Sequence, residues 1–239
     1  MAFGIFDKVA EFDLPHPPVP LAILLVVERA ICVAWEFVLT HPRSKFNLTT
    51  ASEDEITHEL HEAIFNRVFN SGAVDGFNKH VFTTVGREPK VRSYNFGSLD
   101  KMPDLVIQLV NRPSGIMNTQ DGIFIECKPV DDSHPVPKDY CDKGIMRFVS
   151  GEYAWAMTSA LMVGYAKKNY TILPLLTEAL KTRTTTITTV QFPQRCSSSG
   201  SGSRNEAVHI SVHERPFIYL ENEKNAEPIT IRHLWLSRD

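Results

Sequence analysis

Positive charge in excess, paired cysteines, a glycine-rich phosphate loop and a long uncharged apolar run are all missing from this chain. Lys and Arg number 25 against 28 Asp and Glu, a net charge of −3, so no global signal for polyanion binding exists. The imbalance is local. Residues 1–78 carry 5 basic and 11 acidic side chains, residues 79–147 carry 10 and 9, and residues 148–239 carry 10 and 8, which leaves room for a basic face beyond the first third. The four cysteines, Cys32, Cys127, Cys141 and Cys196, form no CxxC pair and repeat no spacing, which excludes a zinc knuckle and a disulfide framework and fits free thiols in a reducing cytoplasm. No signal peptide is expected, because Met1 to Pro20 holds Asp7, Glu11, Asp13 and four prolines where a basic region and an apolar run would stand. In Leu21 to Leu39, the one membrane candidate, Glu28, Arg29 and Glu36 would each cost about 2.5–3.5 kcal/mol near a bilayer centre, so no membrane partner is expected. The run from Cys196 to Ser203 is a flexible loop by composition and lacks the Gly-Lys that ends a phosphate-binding loop.

What is present is ordinary globular composition, 43% apolar and 22% charged, enough for one domain with an arm. Prolines at 15, 17, 18 and 20 lead extended into a helix over Leu21 to Leu39, apolar over most of its surface and in need of cover from the body or from a second subunit. Ser52 caps a second helix, with Glu53, Asp54 and Glu55 in its first turn and an apolar stripe of Ile56, Leu60, Ala63, Ile64 and Val68. Glu53 falls on that inward stripe. Strands are expected over Lys90 to Phe96, Asp104 to Val110 and Gly122 to Val130, separated by turn formers including Gly97, Pro113, Ser114 and Gly115. A long helical pattern from about Asp142 to Lys168 follows, with Gly151, Ala154, Trp155, Ala160 and Gly164 suited to close packing on a sheet. Later strands are expected over Thr184 to Gln191, Ala207 to Leu220 and Ile229 to Leu236, the last as an edge strand burying Trp235.

The run Gly122-Ile-Phe-Ile-Glu-Cys-Lys-Pro-Val130 sets opposite charges inside an apolar strand. Alternation places Phe124, Glu126, Lys128 and Val130 on one face and Ile123, Ile125 and Cys127 on the other, with Glu126 and Lys128 about 7 Å apart. Cys127 is therefore a core residue. Asp104 follows Pro103 at the mouth of the preceding strand, and antiparallel pairing would bring it beside Glu126 and Lys128. Two carboxylates and an ammonium at a strand mouth suit a hard cation such as Mg2+, with the lysine orienting a water and stabilising charge as a phosphodiester is displaced.

Pro103-Asp104 followed by Glu126-Cys127-Lys128 resembles the signature of the PD-(D/E)XK nuclease superfamily, over roughly residues 52 to 168. The resemblance implies an α/β fold with a restriction-endonuclease-like core (helix, mixed β-sheet, helix), here residues 51–239, behind an N-terminal helical arm of residues 1–50. It implies Asp104 and Glu126 as ligands of Mg2+ or Mn2+, the Cys127 carbonyl as a third contact, Lys128 as the residue that positions the hydroxide, and Glu53 as a supporting carboxylate, with Glu55 and Glu59 as fallbacks. Arg147, then Lys143 and Tyr153, are the candidates for nucleic-acid contact, because a guanidinium matches phosphate geometry bidentately. The expected activity is phosphodiester hydrolysis, with DNA implied over RNA, in restriction or defence against foreign DNA, and with repair as the other setting.

Competing readings stay in view. Glu126 and Lys128 could form a plain salt bridge on a half-exposed sheet with Asp104 capping a turn. The fold could also serve a non-catalytic binding or assembly protein, with Leu21–Leu39 as the surface for a second copy or a protein partner, or an activity gated by a ligand or partner. His58-Glu-Leu-His-Glu62 has its histidines three apart, not the four a zinc protease helix needs, so it reads as a solvated helix face.

Overall fold

The computed structural model describes residues 12–113, 115–196 and 207–238. Ser114, residues 1–11 with Asp7 and Glu11, and positions 197–203 of the Ser/Gly run lie outside them.

The chain is a mixed α/β protein. Helix α1 (Leu21–Thr40) and helix α2 (Glu53–Glu62), which runs on in π-type turns over Ala63–Phe69, precede the antiparallel strands β1 (Phe82–Arg87), β2 (Leu105–Leu109) and β3 (Ile123–Val130). A π-type helix, Val136–Ile145, continued by α3 (Met146–Val149), leads to β4 (Ser159–Ala166), parallel to β3. Helix α4 (Ile172–Lys181) and strands β5 (Thr189–Arg195), β6 (His209–His213) and β7 (Ile229–Ser237) complete one seven-stranded sheet in the order β1-β2-β3-β4-β7-β6-β5.

Helix α1 buries Val27, Ala30, Ile31, Ala34, Trp35 and Val38, the spacing of one helical face. That face belongs to the same core as the sheet: Trp35 stacks on Tyr165 of β4 with ring centroids 5.6 Å apart, and its Nε1 donates to the Ser237 carbonyl at 2.8 Å. The cover the helix needs therefore comes from the chain itself. Among the described residues no helix is long and apolar enough to cross a membrane. Two of the charges inside α1 and β7 meet: Arg232 Nε donates to Glu28 Oε1, both side chains almost wholly buried.

Five expectations are corrected. The helical pattern from Asp142 to Lys168 stops at Val149; Gly151 and Ala154 turn the chain with φ of 70° and 54°, and Ser159–Ala166 is a strand. β4 lies between two parallel neighbours and is buried on both faces, so it reads as a continuous apolar run with no alternation to mark it. Lys90 to Phe96 is no strand: Val91 makes a single bridge to Lys101, and the true first strand is Phe82–Arg87. Of Ala207 to Leu220 only His209–His213 is strand, and of Thr184 to Gln191 only the end joins β5. β7 lies between β4 and β6, not at an edge, because its Arg232 and His233 find partners inside.

His233 belongs to a buried polar chain on the face toward the π-type helix. Ser211 Oγ lies 2.7 Å from both His213 Nε2 and His233 Nε2, Tyr140 Oη 3.1 Å from His233 Nδ1, and Thr189 Oγ1 3.2 Å from His213 Nδ1. One serine hydroxyl donates to one ring and accepts from the other, so the two imidazoles are satisfied as neutral groups. Burial holds His213 down at about 4 and His233 well below histidine's ordinary value.

Two outcomes are expected. Glu28→Ala strands a buried guanidinium and should lower the urea-unfolding free energy by roughly 3–5 kcal/mol; a loss under about 1 kcal/mol would mean that the pair is not buried as described. Unfolded histidines titrate near 6.5 and the folded His213 near 4, so between those values the unfolded chain binds more protons. Stability from this source is present above the upper value and is lost as pH falls, by about 2 kcal/mol at pH 5 for His213 alone. Urea titrations at pH 7 and pH 5 of the unsubstituted protein and of His213→Gln measure it, and an equal change with pH in both would contradict it.

Candidate active site

β2 and β3 pair only from Leu105↔Ile125 to Ile107↔Ile123. Pro103 has no N–H to extend that ladder. Beyond Ile125 the strands part, while β3 stays paired on its other side, from Glu126↔Met162 to Val130↔Ala166. The backbone donor left over on β3 is taken by a side chain: Cys127 N–H donates to Asp104 Oδ2 at 2.6 Å. The opening between the two strands is where the polar residues gather.

Glu126 and Lys128 project from the same face, as alternation requires, and the structure brings them into contact. Lys128 Nζ lies 2.9 Å from Glu126 Oε1 and 3.9 Å from Asp104 Oδ2, and it donates to Glu53 Oε1 at 2.6 Å. Glu53 arrives from the first turn of α2, whose start is fixed by a reciprocal capping box between Ser52 and Glu55. That cap occupies Glu55, and Arg43 pairs with Glu59 at 3.2 Å, so Glu53 is the glutamate of α2 at the site.

The far side of Glu126 is held by the segment after β3. Tyr153 Oη donates to Glu126 Oε2, and Arg147 Nε lies 3.4 Å from Oε1. Gly144 lets the π-type helix approach: a Cβ there would meet the Met162 methyl at 2.5 Å and Lys128 Cγ at 3.5 Å. The same row of the sheet runs from Lys128 through Gly164 to Trp235, whose indole fills the space a Gly164 side chain would need.

One expected nucleic-acid contact is corrected. Tyr153 is fully buried, and its hydroxyl is spent on Glu126, which makes it a positioning residue for that carboxylate. Lys143, its side chain 56% exposed, pairs with Asp139 one helical turn back. Arg147 remains about one-third exposed beside Glu126. The reading of Glu126 and Lys128 as a half-exposed surface pair also fails, since their side chains are 1% and 8% exposed. Tyr153 and Gly144 are the members that sequence reasoning left without these roles; a glycine inside a helical pattern was the available signal for the second.

Burial pushes Asp104 up to about 7, and the neighbouring Glu126 charge adds to the rise. Burial also raises Glu126 despite Lys128 and Arg147 beside it. Lys128 moves the other way: burial would lower it, but the carboxylates of Glu126, Asp104 and Glu53 outweigh that and lift it above lysine's ordinary value. Lys128 therefore keeps its proton, and the crowding of negative charge falls on the acids. Three carboxylates face two cations, so the cluster has capacity for further positive charge.

Among the described residues no three His, Cys, Asp or Glu side chains form a group that holds a metal by itself. A magnesium site needs less: Mg2+ is commonly held by one or two carboxylates with substrate phosphates and waters. The donors at hand are all oxygens, the Asp104 and Glu126 carboxylates and the Cys127 carbonyl between them, and Asp104 is destabilised as a bare anion. That donor chemistry fits a hard divalent cation. The Cys127 thiol, fully buried and pushed well above its ordinary range by burial, takes no part.

No protein-family model, curated protein or solved structure matches this chain.

Lys128→Met should remove roughly 3–5 kcal/mol of stability in urea, because Glu126 is left buried with one fewer cation. Adding Glu126→Gln should then destabilise by at least 1 kcal/mol less than it does alone. Strictly additive losses would show that the two residues do not interact.

Proposed function

We propose that this chain is a metal-dependent nuclease of the PD-(D/E)XK kind, hydrolysing phosphodiester bonds in nucleic acid with Mg2+ or Mn2+. The observation that carries the reading is the convergence of Asp104, Glu126, Lys128 and Glu53 where β2 leaves β3. Element order supports it: helix α2, antiparallel β1, β2 and β3, a helix, then parallel β4, in line with the restriction-endonuclease-like core that the motif implies.

Asp104 and Glu126, with the Cys127 carbonyl, would hold the cation. When bound, the cation supplies Lewis-acid polarisation of the scissile phosphodiester and makes water more acidic. Lys128, kept protonated, orients the attacking water by hydrogen bonding and meets the negative charge that develops on phosphate oxygens. It is an electrostatic group and not the base. As the water oxygen bonds to phosphorus, the bond to the leaving oxygen breaks; the water gives up a proton to solvent and the leaving oxygen takes one up, so one water is consumed per bond cut. Tyr153 and Arg147 hold Glu126 in place, and Glu53 fixes the Lys128 ammonium, so the reacting groups are ordered before substrate arrives. DNA is the favoured substrate and restriction or defence against foreign DNA the favoured setting, both from the resemblance, with repair as the alternative. The non-catalytic assembly reading relied on Leu21–Leu39 as a partner surface, and much of that surface is buried against the chain's own sheet.

Incubation of supercoiled plasmid or circular single-stranded DNA with Mg2+ should give nicked or linear product from at least one of them, abolished by EDTA and reduced at least about 1,000-fold in Asp104→Asn. Mg2+ should also raise the melting temperature of the unsubstituted protein and not that of Asp104→Asn. A protein that neither cleaves nor is stabilised by Mg2+ or Mn2+ would overturn the proposal.

A further inference from the structure

Beyond the end of β1 the chain continues as a hairpin rooted at the site. Glu88 N–H donates to the Asp104 carbonyl at 3.1 Å, and Val91 and Lys101 exchange two backbone hydrogen bonds of 2.8 and 3.0 Å. Its tip, Asn95-Phe96-Gly97, is closed by Ser93 N–H to Ser98 O at 2.9 Å and by Asn95 Oδ1, which accepts from Gly97 N–H at 2.9 Å. Phe96 sits there with φ of 56°, a left-handed conformation that is strained for a bulky aromatic, and its ring is 54% exposed. Core packing does not account for an exposed ring on a strained backbone; such outliers point to a role.

Arg92 holds that ring from behind. Its guanidinium lies 3.9 Å from the Phe96 centroid and 4.5 Å from that of Trp155, whose Nε1 donates to the Arg92 carbonyl at 3.1 Å. Leu99, 68% exposed, and Met102 lie on the return limb, and the adjoining segment with Ile218 and Leu220 is joined on by the 2.8 Å Arg92–Glu221 pair and the Tyr94–Phe217 stack. Of nine large hydrophobic side chains exposed among the described residues, five belong to these two segments. The hairpin's other face packs on the turn that carries Tyr153, through Tyr94 N–H to Gly151 O and the Lys101–Glu152 pair.

We propose that the hairpin from Glu88 to Asp104 is a stacking platform on which Phe96 receives an unpaired base of the strand held at Asp104, Glu126 and Lys128, so that the substrate is single-stranded or carries unpaired nucleotides. The inference rests on the nuclease reading of that site. An aromatic ring backed by a guanidinium presents a polarised face that stacks on any base, whereas bases inside a duplex are already stacked and out of its reach. Continuity with the site argues for this occupant over a protein: Asp104 is the last residue of the hairpin. Phe96 lies eight positions before Asp104, a reach of at most about 28 Å, so the base it receives belongs to a nucleotide close along the strand to the one at the site.

The test uses the full chain in EDTA, where binding is read without cleavage, by fluorescence anisotropy with three probes: a dye-labelled 20-nucleotide DNA strand, its duplex, and an abasic strand of equal length. The unsubstituted protein should bind the single strand more tightly than either other probe. Phe96→Ala should weaken single-strand binding about 5- to 100-fold and leave the abasic probe unchanged. Phe96→Trp should keep the affinity and show its added indole fluorescence quenched by the single strand but not by the abasic one. Equal binding of abasic and natural strands, or unchanged affinity in a folded Phe96→Ala, overturns the platform. If Mg2+-dependent cleavage persists with either result, the nuclease reading survives alone; if no probe is bound and none is cut, both fall. Loss of self-association in Phe96→Ala by sedimentation, with nucleic-acid binding unaltered, assigns the tip to a second copy of the chain and also overturns the proposal.

Discussion

A charged lysine kept inside a sheet is the constraint around which the first half of this molecule is arranged. An ammonium transferred alone to a protein interior would lose its proton or unfold its surroundings. Lys128 does neither, because Glu126 lies two residues before it on the same face, Glu53 caps it from α2, and Asp104 closes the third side. Each partner requires its own support. Asp104 is fixed by the Cys127 amide, Glu126 by Tyr153 and Arg147, and Glu53 by the capped start of α2. The site is thus a chain of mutual dependence in which no charged member is satisfied without its neighbours.

The same need explains why the sheet opens there. A continued β2–β3 ladder would use the Cys127 amide and leave no gap where Asp104, Glu126 and Lys128 meet. Pro103 ends the ladder, and the neighbouring Asp104 carboxylate accepts from the Cys127 amide that the ladder leaves over. The other half of the sheet is built on the opposite principle. β4 and β7 are buried on both sides, and the polar groups they carry are neutral or paired: Arg232 with Glu28, His233 with Ser211 and Tyr140. Helix α1 covers that half through Trp35.

How far the sequence could be read follows from this division. Ser52 with its acidic first turn, the strand around Glu126 and the meeting of Asp104 with Glu126 and Lys128 depend on local chemistry and on the period of two, and both are visible in a linear string. The inward position of Glu53 followed from helical spacing. β4 was hidden for a physical reason: doubly buried parallel strands carry no alternation, and its small residues, Ala160 and the Gly164 that admits Trp235, look like those of a closely packed helix. β1 lay beside a better-looking alternation, Lys90 to Phe96, that in fact leaves its backbone for a hairpin tip. Tyr153 had a plausible surface role until the turn at Gly151 carried it inside.

The sequence by itself determined the chemical content of the site, because two carboxylates and a lysine in and beside an apolar strand are tolerable only together. It also determined which face each occupies, since strand and helix periods are properties of the backbone. Only the tertiary contacts settle that Glu28 finds Arg232, that Tyr153 rather than solvent holds Glu126, and that α1 closes on its own sheet. Those outcomes depend on contacts between segments up to 204 residues apart, such as Glu28 with Arg232, and no local pattern encodes them.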